Sequence, residues 1–168
     1  KSAESKASEI TNAIKHHINI KVEEDPEYYK KLSERLEEII QKHEDRWDEI
    51  VQLLLDLRDN IEINHKKDAD DLGLSQTELA FYNILISELS DDQKNDEATL
   101  GKAKAVVTSL VELLDEASLI VDFFNKWTEQ KRIKKNIKRL IIKNFNESLV
   151  EQVSSRFMDL ARTKFDKS

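Results

Sequence analysis

The chain has 168 residues, 39% hydrophobic and 36% charged, with two glycines, one proline, no cysteine and a formal net charge of −7. So few glycines cannot supply the turns of a β-sandwich or barrel, nor a phosphate-cradling loop. The lack of cysteine removes disulfides, thiol nucleophiles and thiolate metal sites. High Leu, Ile, Glu and Lys with almost no Gly or Pro points to an all-α fold. The expected architecture is about six helices, with one long antiparallel hairpin leg and a C-terminal helical bundle.

The first predicted helix covers residues 3–17, because Ala7, Ile10, Ile14 and Ile18 recur every three or four positions. Over residues 18–22 the pattern turns strand-like. Asp25-Pro26 then opens a second helix. The aspartate accepts from free first-turn amides, and proline suits the first helical position, where its missing N–H costs nothing. Glu23, Glu24 and Glu27 complement the positive end of the helix dipole. Leu36, Ile40, His43, Trp47, Ile50, Leu54, Leu57 and Ile61 alternate spacings of four and three, as a heptad seam does. Residues 26–65 are therefore expected as one long helix or two nearly collinear ones, with His43 as a packed core residue. The seam serves either a hairpin leg within the domain or an intermolecular coiled coil. Leu53 and Leu55 widen it beyond a strict seam.

Residues 65–73 form a polar connector. Ser75-Gln76-Thr77-Glu78 is a capping box, with Leu74 and Leu79 at the staple positions. Leu79, Tyr82, Leu85, Ile86 and Leu89 give that helix its buried face. Residues 90–97 (SDDQKNDE) are expected as a surface loop. A fourth helix covers 98–117, with Val106, Val107, Leu110, Val111 and Leu114 inward. Residues 119–124 are too apolar for a solvent loop and are expected against the core. Asn125 or Thr128 caps a fifth helix that ends near residue 143. Asn146 caps a sixth, which buries Leu149, Val153, Phe157, Leu160 and Ala161. No fixed-period repeat is present.

Charge is segregated. Residues 1–72 carry 12 basic and 19 acidic side chains, residues 73–122 carry 3 and 10, and residues 123–168 carry 12 and 5. Eight of the last twelve cations lie between positions 126 and 143, against the single acid Glu129. On a helical wheel Ile133, Ile137, Leu140 and Ile141 share one arc, and Lys131, Arg132, Lys135, Lys138, Arg139 and Lys143 fall on the opposite one. Such a face either attracts phosphates or an acidic protein surface, or is a solvated face that balances the acidic helices. Ile142 projects into the cationic arc, where an isoleucine hints at an interface.

Enzymatic and metal readings find no support. His16 and His17 diverge by about 100° on a helix, so they do not form the i, i+4 pair that chelates a metal. The run from Asp68 to Gly73 resembles a calcium loop only at its start. Its fifth and twelfth positions are Leu72 and Leu79, where ligands are required. There is no phosphate-binding glycine loop and no nucleophile with a nearby base. No catalytic residue, metal site or cofactor is expected in this fragment.

The chain begins at Lys1 without a methionine, which is expected of a piece of a longer protein. Its first ten residues lack the apolar core of a signal peptide, and no apolar run approaches the about 20 residues that span a bilayer. A cytoplasmic location and no membrane partner are expected.

Three separated motifs carry a family resemblance. The first is ASEITNAIKHHI (7–18) followed by EDPEYYKKLSERLEEII (24–40). The second is DLGLSQTELAFYNIL (71–85). The third is IVDFFNKWTEQKRIKKNIKRLI (120–141). Together they resemble the C-terminal helical domain of the R (motor and endonuclease) subunit of type I restriction-modification enzymes. The matching positions include Asp25, Pro26, Gly73, Ser75, Glu78, Phe81, Tyr82, Asp122 and Phe123, to which the resemblance gives structural roles. Two departures stand out. Asp122-Phe123 replaces the family's Asp-Trp, with Trp127 displaced downstream. Asn144-Phe145-Asn146 replaces a short proline-containing turn.

The resemblance implies one helical domain, 1–168, at the C-terminal end of a larger subunit. Upstream nuclease and motor domains would use ATP and Mg to translocate and cleave DNA. The domain would anchor that motor to the methyltransferase core of modification and specificity subunits, and would touch the upstream motor lobes. The cationic face over 131–143 and the long acidic helix are the expected contact surfaces. Two alternatives are a motor-coupling element that modulates ATP hydrolysis and makes a weak duplex DNA contact, and a self-associating coiled-coil scaffold.

Overall fold

The structure, a computed structural model, describes residues 1–166. The described residues are all-helical, with no strand. They form nine α-helices, where the sequence suggested about six: α1 (Ala3–Lys21), α2 (Pro26–Lys42), α3 (Trp47–Asp59), α4 (Ile61–Leu72), α5 (Gln76–Ser87), α6 (Asp91–Lys94), α7 (Glu97–Ala117), α8 (Trp127–Asn144) and α9 (Val150–Phe165). Short 3-10 turns occupy Val22–Glu24, Phe123–Asn125 and Glu147–Leu149. The chain divides into two compact units, Lys1–Leu72 and Gly73–Ser168.

In the first unit, α1 packs along α3, and α2 packs against both. Helix α1 starts at Ser2, whose hydroxyl accepts from the Ser5 amide at 3.1 Å. It stays helical through the stretch that alternates like a strand. Ile18 continues the buried stripe of Ala7, Ile10 and Ile14, so burial against the unit's core overrides the short alternation. Tyr29, Leu32, Leu36 and Ile39 of α2 and Ile50, Val51 and Leu54 of α3 complete the core.

The expected long helix over 26–65 is broken twice. Helix α2 ends at His43, and Asp45 takes a left-handed conformation, φ 44°. A short polar aspartate tolerates that region better than most residues. Asn60 separates α3 from α4 and bonds back to the Asp56 carbonyl through Nδ2 at 2.8 Å. His43 is thus a helix end with a side chain 27% exposed, and no packed seam residue. Leu36, Ile50, Leu54 and Ile61 of the apparent seam lie inside this unit's core, so that seam is not free to pair with a second copy. The expected connector over 65–73 is instead mostly the rest of α4.

In the second unit, α5 is the central helix. Leu79, Ala80, Phe81, Tyr82, Ile84 and Leu85 are all buried, against α7 on one side and α9 on another. Helix α8 packs on α7 and α9 and completes a four-helix arrangement. The capping box is formed as expected. The Glu78 amide donates to the Ser75 hydroxyl at 3.0 Å, and the Ser75 amide to the Glu78 carboxylate at 2.8 Å. Phe81 meets Phe157 edge-on at 5.6 Å between ring centroids.

Three local expectations are corrected here. The loop over 90–97 contains α6, which has its own capping box between Ser90 and Gln93. Asn125, Thr128 and Asn146 do not cap α8 or α9. Helix α8 follows Lys126 and α9 follows Leu149, neither making a side-chain cap. Residues 119–124 are only half against the core. Phe123 and Phe124 are buried, while Leu119 and Val121 are 79% and 75% exposed. Asp122 is left-handed, φ 55°, and the chain reverses between the exposed and the buried pair.

Candidate functional site

Helix α8 presents the cationic face read from the sequence. Ile133, Ile137 and Ile141 are fully buried beneath it. The structure sorts its six cations into two groups. Arg132 grips Glu129 with Nε and Nη2 at 3.1 and 3.0 Å. Lys138 reaches across to Glu151 of α9 at 2.7 Å. That hydrogen bond, with Lys134 adding its charge, holds the Glu151 carboxyl below the usual carboxylate range. Lys131, Lys135, Arg139 and Lys143 are exposed, and none forms an ion pair among the described residues.

Those four sit at every fourth position. One step further back is Trp127, 70% exposed, with the Lys131 ammonium 4.9 Å from its ring centroid. Residues spaced by four form a ridge inclined to the helix axis. The ridge therefore reads Trp127, Lys131, Lys135, Arg139, Lys143 from one end of α8 to the other. Ile142 beside it is half-exposed. Lys143 and Ile142 also line a cleft of about 360 Å³ with Lys102, Asn144 and Asn146.

A second surface was not anticipated from the sequence. Leu119 and Val121 border a cavity of about 270 Å³ lined by residues 118–124 together with Phe165 and Asp166. Below it, Phe123 and Phe124 pack edge-on at 4.9 Å, and Gln130 and Arg162 donate to the Phe124 carbonyl. The base of this segment is held while its apolar tip stays in solvent. The only sequence signal was the density of apolar residues there, and that signal does not say which of them turn outward.

The motif residues behind the resemblance serve the fold. Asp25 caps α2, accepting from the Tyr28 amide at 3.2 Å, and Pro26 occupies its first turn. Gly73 is left-handed, φ 68°, directly after α4. Ser75 and Glu78 start α5, Phe81, Tyr82 and Phe123 are buried, and Asp122 makes the chain reversal.

The first unit also holds a polar cluster that the sequence did not reveal. The His65 Nε2 lies 2.7 Å from Asp25 Oδ2. The Tyr28 hydroxyl donates to the Ile61 carbonyl at 2.6 Å, and the Tyr29 hydroxyl to Glu62 at 3.0 Å. His17 bonds the same Glu62 oxygen at 2.9 Å. Burial, followed by the charges of Asp68, Glu62 and Asp25, pushes the Tyr28 phenol up to about 12. Among the described residues no group of three His, Asp or Glu side chains is placed to hold a metal ion. No described helix is long and apolar enough to cross a membrane.

The family described as type I restriction enzyme HindI endonuclease subunit-like, C-terminal, matches residues 2–163. A protein of Methanocaldococcus jannaschii named "Putative type I restriction enzyme MjaIXP endonuclease subunit" is 24% identical over 165 residues. That alignment takes in 91% of this chain and 15% of the relative, so the chain spans a small part of the protein it matches. No solved structure matches the chain. With nearly its whole length matched, the chain belongs to the family of C-terminal regions of HindI-like type I restriction enzyme endonuclease subunits.

Proposed function

We propose that this chain is the docking domain of its parent subunit. It anchors an ATP-dependent, DNA-translocating and DNA-cleaving motor to the methyltransferase core of modification and specificity subunits. The observation that carries the reading is the outward-turned pair Leu119 and Val121 above a cavity and a fixed aromatic base. Clustered exposed apolar side chains mark protein interaction sites. Interface energy concentrates in a few residues that lose water on contact. The relative's name supports the reading further, since a subunit is by definition part of an assembly. Motor, nuclease, ATP and Mg belong, in this reading, to the upstream domains.

The test is Leu119→Asp combined with Val121→Asp in the full-length endonuclease subunit. Both side chains are already solvated, so the unfolding free energy should stay within about 0.5 kcal/mol of the parent. Affinity for a tagged methyltransferase core should fall at least about tenfold, the loss expected when a charge replaces a central apolar anchor. Unchanged co-purification by a folded double variant would overturn this docking surface.

A further inference from the structure

We infer that the ridge Trp127, Lys131, Lys135, Arg139 and Lys143 of α8 is a contact surface for the sugar–phosphate backbone of duplex DNA. It is separate from the apolar surface on which the docking reading rests, and it stands or falls independently of that reading.

The first ground is what the structure does with charge. A cationic helix in an acidic protein is ordinarily neutralised by its neighbours. Here the neighbouring acids are spent on one side. Glu129 holds Arg132, and Glu151 holds Lys138 with Lys134 beside it. The i+4 ridge keeps its four charges with no ion pair among the described residues, on a face pointing away from Ile133, Ile137 and Ile141. The sequence shows eight cations between positions 126 and 143. Only the fold separates those that serve the bundle from those left to a partner.

The second ground is regularity. At 1.5 Å rise per residue, successive ridge cations are about 6 Å apart along the axis, and Lys131 to Lys143 spans about 18 Å. One strand of duplex DNA presents about five phosphates over that length, at about 3.4 Å of axis each. A row of evenly spaced point charges suits a polymer of evenly spaced phosphates. Three of the four ridge cations are lysines.

The third ground is Trp127. Its ring is exposed at the end of the ridge, with one face engaged by Lys131, which fixes the ring beside the first cation. A flat apolar surface there fits against a deoxyribose. A single aromatic is too little for the successive base stacking that single-strand binders use, so the duplex is the favoured form. All base-reading contacts are absent from this picture, and the binding is expected to be independent of sequence.

The experiment is fluorescence anisotropy of the 168-residue chain against a labelled duplex of about 30 base pairs, from about 25 to 200 mM NaCl. Four phosphate contacts predict a slope of log K against log salt near −3.6. Lys135→Gln with Arg139→Gln should cut the magnitude of that slope by about 1.8 and weaken binding about 100-fold at about 50 mM salt. Trp127→Ala should weaken binding without changing the slope. Lys30→Gln with Lys31→Gln, on α2, should change nothing. Circular dichroism and the unfolding midpoint confirm that each variant is folded. The inference is overturned by any of four results. These are no anisotropy change at the lowest salt, an unaltered slope in the Lys135/Arg139 variant, tighter binding to single-stranded DNA of equal length, or equal competition by poly-glutamate at matched charge.

Discussion

The imidazole of His65 and the carboxylate of Asp25, forty residues apart in the chain, face each other at 2.7 Å with both side chains buried. Asp25 thereby works in two directions. Its Oδ1 caps the first turn of α2 through the Tyr28 amide, and its Oδ2 meets α4. The Tyr28 ring lies edge-on to His65 at 4.6 Å, and its hydroxyl is fastened to the Ile61 carbonyl. The helix that begins at Pro26 is thus tied to the helix that closes the first unit.

Replacing Asp25 should therefore cost more than a cap. A lost N-cap is worth about 1 kcal/mol, and leaving the partner of a buried hydrogen bond unsatisfied costs about 1 to 3 kcal/mol in addition. Asp25→Ala should lower the unfolding free energy by about 3 kcal/mol. Asp25→Asn, which keeps an acceptor for the Tyr28 amide, should lose about half as much. Urea denaturation of the two variants and of His65→Ala supplies the test. A loss near 1 kcal/mol for Asp25→Ala would show that only the cap matters.

The neighbouring Glu62 contributes to the acid limb of stability. Burial pushes its carboxyl up, but hydrogen bonds from His17 and Tyr29 outweigh that and hold it below its ordinary value of 4.5. A carboxyl that binds protons more weakly when folded stabilises the fold above its unfolded value. That contribution is lost as pH falls through the folded one. Glu62→Gln should thus lower stability at neutral pH and flatten the fall as pH drops below the ordinary value of 4.5. The tyrosines act with the opposite sign. Tyr28 is raised to about 12, chiefly by burial, and Tyr29 is raised too, by burial and its bond to Glu62. Their contribution is complete below the ordinary phenol value of 10 and is lost as pH rises toward 12. Tyr28→Phe with Tyr29→Phe should flatten that alkaline fall in a pH series of thermal melts.

Two left-handed residues give opposite predictions. Gly73 has φ 68° with open space where a Cβ would stand, so Gly73→Ala meets no neighbour and its cost is backbone strain alone. About 1 kcal/mol of destabilisation is expected. Asp122, φ 55°, already carries that strain. Asp122→Gly should be neutral or stabilising by up to about 1 kcal/mol, and Asp122→Val destabilising by about 1 to 2 kcal/mol. Differential denaturation of the three variants checks the signs. A stabilising Asp122→Val would remove the strain argument.

The sequence by itself determined whatever depends on near neighbours. The scarcity of Gly and Pro set the helical class. Asp25-Pro26 and Ser75 with Glu78 marked helix starts, because an N-cap bond reaches only two or three residues ahead. The isoleucine stripe of α8 and the cationic arc opposite it followed from the 3.6-residue turn. Even Arg132 with Glu129 was within reach, three residues apart.

Tertiary structure decided the rest, for two physical reasons. Periodicity reports the phase of a helix and not its continuity. The four-three spacing from Leu36 to Ile61 persists across the breaks at His43 and Asn60 because each new helix resumes with its apolar side to the same core. The polar run His43-Glu44-Asp45-Arg46 and the pair Asp59-Asn60 were the only local marks of those breaks. Pairing between distant residues leaves no local trace at all. That Lys138 is taken by Glu151 while Lys135, Arg139 and Lys143 are left to solvent follows from how α9 lies on α8. The same holds for Leu119 and Val121. A run of apolar residues promises burial, and a single left-handed residue beside it decided which half of the run received it.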